Sequence, residues 1–204
     1  MQNKNFTGYV LAGGKSSRMG SDKALLEIGG KTFLENAIDA LRPHCSTVKI
    51  ILNRSQNHFI EKLTDQIPNI FDIYENRGAL GGIHTAFKNC KTEFAIILAV
   101  DLPFVSSQAI EKLSEIALAF NEFSAFVPRQ NDGKLQPLCA IYRTKDCLSE
   151  IENFLETEKS ASVKSFLNKI PIKIVEQEIF ADKKDIFFNV NNPRDFQELQ
   201  HNLK

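Results

Sequence analysis

Leu11-Ala12-Gly13-Gly14-Lys15-Ser16-Ser17-Arg18-Met19-Gly20 follows the apolar run Tyr9-Val10-Leu11 and precedes Lys23 and the apolar Ala24-Leu25-Leu26. A buried strand feeding a glycine-rich, cation-bearing loop has the layout of a phosphate cradle. Glycine lets backbone N–H groups approach phosphate oxygens with no Cβ in the way. Arg18 and Lys23 supply the charge to neutralise a triphosphate. Two common phosphate motifs are excluded. No Gly-x4-Gly-Lys-Ser/Thr occurs, and Gly13-Gly14 followed by Gly20 does not give Gly-x-Gly-x-x-Gly, so neither a P-loop ATPase nor a dinucleotide-binding dehydrogenase fits.

Outward from this loop, strand and helix patterns alternate. Thr7–Leu11, Val48–Leu52, Asn69–Tyr74 and Phe94–Val100 are apolar runs that predict strands. Thr32–Leu41, Gly82–Asn89 and Ser107–Phe120 carry apolar residues at helical spacing. Strand–helix units of this length imply parallel pairing with right-handed crossovers. In the second half, Ser124–Pro128, Leu138–Tyr142, Ile172–Val175 and Ile186–Val190 predict strands. Asp146–Leu155 and Val163–Leu167 predict helices, as does Pro193–Leu203, with proline in its first turn. The expected fold is α/β, a Rossmann-like three-layer sandwich with a mostly parallel mixed sheet, formed by residues 1–204 as a single domain.

Composition narrows the function classes. The chain has 25 basic and 25 acidic residues, a balance that argues against nucleic acid or an anionic membrane as the main partner. Cys45, Cys90, Cys139 and Cys147 form no Cys-x-x-Cys pair, which argues against a zinc or redox motif. No apolar stretch approaches the roughly 18 residues of a membrane span, and no signal peptide stands at the N-terminus. A cytoplasmic location is the expectation. His44, His58, His84 and His201 have no metal-ligand spacing, and His84 reads as a helix-surface residue.

In a parallel sheet, ligands sit beyond the carboxyl ends of the strands, and the chemically suggestive residues fall there. Asp101 follows the strongest apolar run, where a carboxylate can hold Mg²⁺ or cap a helix. Asn53 follows a second strand, and Asp72 lies near the end of a third. Guanine presents N1–H and an exocyclic amine that a carboxylate can accept, so Asp72 can read a base, hold a ribose or hold its own loop. Asn76-Arg77-Gly78-Ala79-Leu80-Gly81-Gly82-Ile83 is a second glycine-rich turn leading into a helix. Asn189-Val190-Asn191-Asn192-Pro193 opens the last helix, with Asn192 as a natural N-cap. Arg129, Lys134 and Arg143 are cations able to meet an acidic acceptor.

The segment Leu11 to Lys23, read as Leu-Ala-Gly-Gly-x-Ser-x-Arg-Met-Gly-x-Asp-Lys, resembles the signature of the molybdenum cofactor guanylyltransferase (MobA-type) family, within the glycosyltransferase-A-like nucleotidyltransferases. Asp101-Leu102-Pro103-Phe104, Gly78 to Gly82 and Asn189 to Pro193 extend the resemblance along nearly the whole chain. It implies transfer of GMP from GTP to the terminal phosphate of Mo-molybdopterin, giving molybdopterin guanine dinucleotide and pyrophosphate. The implied nucleotide-binding residues are Leu11, Ala12, Gly13, Gly14, Lys23, Asn53, Asp72, Gly78, Leu80 and Asp101. Arg18, Lys23 and Asp101 are the implied catalytic residues, with Asp101 as the Mg²⁺ ligand. Gln136, Asn189 and Asn191 are implied on the acceptor side, so that the N-terminal half binds nucleotide and the C-terminal half binds acceptor. Molybdenum cofactor biosynthesis proteins and recipient molybdoenzymes are the implied transient partners. Two departures stand out. Ala79 replaces a customary proline, and Gln136 replaces a histidine, which removes any acid–base role there. A molybdopterin cytidylyltransferase or a sugar-phosphate nucleotidyltransferase shares this loop chemistry, and a non-catalytic nucleotide binder is the alternative from another class.

Overall fold

The computed structural model describes residues 5–13, 23–54, 67–74, 77–158, 162–180 and 186–201. Gly14, Arg18, His58 and the end of the last predicted helix, 202–203, lie outside the described residues. Among the described residues there are nine strands: β1 (Phe6–Leu11), β2 (Glu27–Ile28), β3 (Lys31–Thr32), β4 (Thr47–Leu52), β5 (Asn69–Phe71), β6 (Phe94–Ala99), β7 (Ala125–Arg129), β8 (Cys139–Arg143) and β9 (Ile172–Glu176). Six helices accompany them: α1 (Phe33–Leu41), α2 (Gly78–Lys88), α3 (Ser107–Ala119), α4 (Thr144–Thr157), α5 (Val163–Leu167) and α6 (Pro193–His201).

Seven strands form one sheet in the order β5-β4-β1-β6-β8-β7-β9, which joins both halves of the chain. Pairs β5–β4, β4–β1, β1–β6 and β7–β9 are parallel, while β6–β8 and β8–β7 are antiparallel. The sheet is therefore mixed and mostly parallel, as the strand–helix alternation predicts. Successive side chains of β6 divide between the faces: Phe94, Ile96 and Leu98 pack with α1, α3 and α6, whereas Ala95 and Ile97 pack with α2, α4 and α5. This alternation is the strand period of two, and it produces three layers with an apolar core on each side of the sheet.

Chain order makes the cleft. From β1 the chain steps outward through β4 to β5, then returns across the sheet to β6 on the other side of β1. The loops after β1 and β6 consequently diverge at a topological switch point, where an open α/β sheet leaves a crevice. Short sequence devices fix the flanking helices. Thr32 and Glu35 form a capping box on α1, with Thr32 Oγ1 accepting from the Glu35 N–H and the Glu35 carboxylate accepting from the Thr32 N–H. Ser106 Oγ accepts from the Ala109 N–H at the start of α3. Asn192 Oδ1 accepts from the N–H groups of Arg194 and Asp195, so Asn192 caps α6 as its sequence context predicts.

Two expectations are corrected and one feature is added. Ile186–Val190 is not a strand; Ile186, Phe187 and Val190 are buried, but the Val190 N–H donates to the backbone oxygen of Asp101 instead of to a neighbouring strand. Helix α2 starts at Gly78, one turn before the predicted Gly82. The hairpin β2–β3, turning through Gly29 and Gly30 at φ +60° and +79°, adds a feature that apolar periodicity does not reveal.

Candidate active site

The loops on either side of the switch point are tied at their bases. Leu11 accepts the Val100 N–H at 3.2 Å, closing the β1–β6 ladder at its carboxyl end. The N–H groups of Ala12 and Gly13 both donate to Ile51, at 3.0 and 3.1 Å. These two donors thus extend the pairing with β4 and are spent within the fold. The Gly13 N–H is therefore not available to a backbone phosphate cradle in this geometry. Leu11 and Ala12 are buried and Gly13 is exposed. A Cβ on Gly13 would lie 3.1 Å from the Asn53 backbone nitrogen and 3.2 Å from its side-chain amide. Gly13 and Asn53 are therefore brought together as the sequence predicts, at the ends of adjacent strands.

The glycine loop re-emerges into the described residues at a 3₁₀ turn, Lys23–Leu25. Buried Ala24 anchors it in the core beside Phe33, which leaves Lys23 aimed back at the sheet. Its Nζ stands 3.5 Å from Asp101 Oδ2. Asp101 sits between buried Val100 and Leu102. Burial raises its carboxyl above the ordinary aspartate range, while Lys23 pulls in the opposite direction. The second carboxylate oxygen, Oδ1, is buried and has no hydrogen-bond partner among the described residues. Leaving such an atom unpaired costs about 1–3 kcal/mol, more if charged, so its retention marks a place prepared for a ligand.

Residues 186–192 close the far side of Asp101. The Val190 N–H bond to the Asp101 backbone oxygen is 3.0 Å long, and Phe104 packs against Phe188 with ring centroids 6.5 Å apart. Asn189 Oδ1 is a second buried oxygen with no partner among the described residues. Asn191 is exposed, and its N–H donates to Asp195 at the start of α6. Of the two asparagines, the geometry favours Asn189 as the one turned inward. Gln136 is half-buried in the β7–β8 connection. Its backbone pairs with Pro128 and Cys139, and nearby Leu138 accepts the Ala99 N–H at 2.7 Å, so Gln136 lies at the same carboxyl edge.

The β5–α2 corner forms the other wall. Asp72 is 6% exposed. Its Oδ1 accepts from the Tyr74 N–H and from the Thr85 hydroxyl, each at 3.0 Å. Gly81 packs directly on that carboxylate; a Cβ there would meet Tyr74 O at 2.8 Å and the Asp72 oxygens at 3.0 and 3.1 Å. Gly78, at φ +56°, has the left-handed backbone that suits glycine. Leu80 is buried in the core with Leu11 and Ile83, so only its backbone can face a ligand. Arg77 reaches from this turn to the C-terminus of α4, donating to Leu155 O and Glu158 O at 3.4 and 3.3 Å. A cation there also suits the negative end of the helix dipole.

The predicted acceptor cations are otherwise engaged. Arg129 pairs with Glu176, and Lys134 pairs with Asp132 at 2.6 Å. Arg143 pairs with Glu93 and lies opposite Phe94, at the amino edge of the sheet away from the cleft. His84 is not on the helix surface; it is 3% exposed, edge-on to Tyr74 and 3.6 Å from Glu152 Oε1.

The sequence profile of the MobA-like NTP transferase domain matches residues 8–173. The chain belongs to that family. As a MobA-like NTP transferase it is an enzyme of nucleotidyl transfer, and it has relatives of nearly its own length. A probable molybdenum cofactor guanylyltransferase of Geobacillus sp. is 32% identical over 193 residues, covering 94% of this chain and 96% of that protein. A protein of the same name from Bacillus anthracis is 34% identical, with 97% of each covered. The crystal structure of molybdopterin-guanine dinucleotide biosynthesis protein A from Archaeoglobus fulgidus superposes with a TM-score of 0.79 at 22% identity, covering 97% of this chain and 98% of that one. That likeness shows the shared transferase fold. No helix among the described residues is long and apolar enough to cross a membrane.

Proposed function

We propose that this NTP transferase is a molybdenum cofactor guanylyltransferase, transferring GMP from GTP to the terminal phosphate of Mo-molybdopterin and releasing pyrophosphate. The observation that carries the reading is the meeting of Lys23 and Asp101 across the switch point, with Asp101 Oδ1 buried and unpaired. The relatives' names supply guanine and the pterin acceptor. The N-terminal half then holds the nucleotide and the C-terminal half the acceptor, within one sheet.

The donor set fits Mg²⁺. Asp101 Oδ1 and Asn189 Oδ1 are hard oxygens without partners among the described residues, and Mg²⁺ takes one or two protein ligands while keeping phosphate oxygens and water. When bound, Mg²⁺ supplies charge neutralisation between phosphates. The chain's own residues do the rest. Lys23 and Arg18 hold the pyrophosphate end as it gains charge, an electrostatic role that acts more strongly in a dry cleft. Asn53 and the Asp72 corner hold the nucleoside. Gln136 and Asn189 align the acceptor phosphate with the α-phosphorus, which is the positioning that phosphoryl transfer chiefly demands. A terminal phosphate has a second pKa near about 6, so it attacks as an anion and no general base is required. Gln136 in place of histidine is compatible with that chemistry.

The direct test is pyrophosphate release with Mo-molybdopterin and each nucleotide. Release from GTP far above CTP, ATP and UTP is expected. Preference for CTP makes the chain a cytidylyltransferase, and tight GTP binding with no release makes it a nucleotide-binding protein.

A further inference from the structure

The hydroxyl of Thr85 joins two elements that the nucleotide reading treats separately. Thr85 lies in the second turn of α2 and is completely buried. It accepts the Ile73 N–H at 2.9 Å and donates to Asp72 Oδ1 at 3.0 Å. The same carboxylate oxygen accepts the Tyr74 N–H. Asp72 is in turn locked to β4, its own N–H donating to Leu52 O at 2.8 Å. Gly81, one turn before Thr85 on the same helix, rests on both carboxylate oxygens, and a Cβ there would lie 2.8 Å from the Tyr74 backbone oxygen. Carboxylate, loop backbone and glycine turn are therefore held together, and a helix hydroxyl bonds both the carboxylate and the loop backbone. A hydroxyl is both donor and acceptor, so no apolar residue can make both bonds.

We propose that Thr85 is a positioning residue of the nucleotide site, fixing the Asp72 carboxylate and through it the Gly78–Gly82 turn in the geometry that receives the nucleoside. The proposal rests on the reading of this corner as part of the GTP site. Removing the hydroxyl strands the Ile73 N–H and releases one of the bonds on Asp72, in a buried setting where each loss is felt fully. The effect falls on nucleotide affinity, because Thr85 itself touches neither phosphate nor metal ligand.

The test is calorimetric titration of Mg²⁺-GTP together with steady-state kinetics on the wild type, Thr85→Val, Thr85→Ser and Asp72→Asn. Thr85→Val is expected to raise the GTP dissociation constant and KM by about tenfold, equivalent to ~1.4 kcal/mol. The acceptor KM and kcat should change little, and Thr85→Ser should recover most of the affinity. Should Thr85→Val fail to fold, Thr85→Ala gives the same comparison. GTP affinity within twofold of wild type in the Val or Ala variant, with Asp72→Asn clearly weakened, overturns the proposal and leaves the site reading standing. Unchanged affinity in Asp72→Asn as well overturns both. A loss in Thr85→Val that Thr85→Ser does not rescue also overturns the proposal, since it assigns the effect to packing.

Discussion

Asp72, a buried carboxylate, and Asp101, a partly buried one, both stand at the carboxyl ends of strands in the same sheet, yet the molecule treats them in opposite ways. At the corner after β5, Asp72 is bonded to a backbone N–H and a helix hydroxyl and is covered by a glycine. At the corner after β6, Asp101 faces a lysine at 3.5 Å with one oxygen and keeps the other unpaired. At the first, Oδ1 is committed to the fold and sets the geometry of the corner; at the second, Oδ1 makes no hydrogen bond among the described residues and is held in reserve for a ligand. The bonding of each oxygen therefore separates a carboxylate that fixes its surroundings from one left open to bind directly.

This contrast is sharpest in paired substitutions. Asp101→Asn should lower turnover by about 10³-fold or more, roughly 4 kcal/mol of activation free energy, while leaving thermal stability equal or higher. The sign follows from linkage. A folded-state carboxyl raised by burial means that ionising Asp101 opposes folding; the penalty is absent below the unfolded-state pKa and sets in as pH rises through the folded one. Asp72→Asn should do the reverse, lowering the melting temperature while sparing more of kcat. Equal melting temperatures in the two variants would erase the distinction between the corners.

Lys23→Ala should cut turnover more than tenfold, at least about 1.4 kcal/mol. A smaller change removes Lys23 from the catalytic set. Gly81→Ala probes the satisfied corner, where the new methyl would lie 2.8 Å from a backbone oxygen. Chemical denaturation should show a loss of about 1–3 kcal/mol, the usual cost of overpacking, accompanied by weaker GTP binding. Full stability in this variant would mean that the turn and Asp72 are not rigidly joined.

The smallest expected effect lies behind the Asp72 corner, at His84. Burial lowers its pKa, with Glu152 and Asp72 favouring the charged ring and Lys88 opposing it; Tyr74 covers its face. A depressed folded pKa means that the unfolded chain binds the proton more readily. Its contribution to stability is then present above the unfolded value of about 6.5 and is lost as pH falls through the folded one. His84→Gln should flatten that part of the pH–stability profile, measured by denaturation at several pH values. An unchanged profile would show that the ring titrates as it does in water.

Much of the fold is readable from local patterns because the central strands are apolar on both faces. Phe94–Ala99 can only be a covered strand, and Thr32 to Glu35 announces a helix start. The site is readable at Asp101, which stands just beyond a strongly signalled strand, and at Lys23, which closes the glycine-rich signature. What escapes depends on contacts distant in sequence. Gly78 and Gly81 discourage a helix by propensity, yet α2 begins at Gly78 and Gly81 packs on Asp72. Ile186–Val190 has strand composition but gives its one informative N–H to Asp101. The inward turn of Asn189 and the bonding of Thr85 exist only once residues about 90 and 13 positions away are in place. The Gly29-Gly30 turn was within reach, being a strong hairpin signal between short flanks.

The most direct measurement is isothermal titration of GTP, CTP, ATP and UTP, each with and without Mg²⁺, into the wild type and Asp101→Asn. The account predicts selective binding of GTP, strengthened by Mg²⁺ in the wild type and indifferent to Mg²⁺ in Asp101→Asn. Equal binding of all four nucleotides, or the same Mg²⁺ dependence in both proteins, would contradict it.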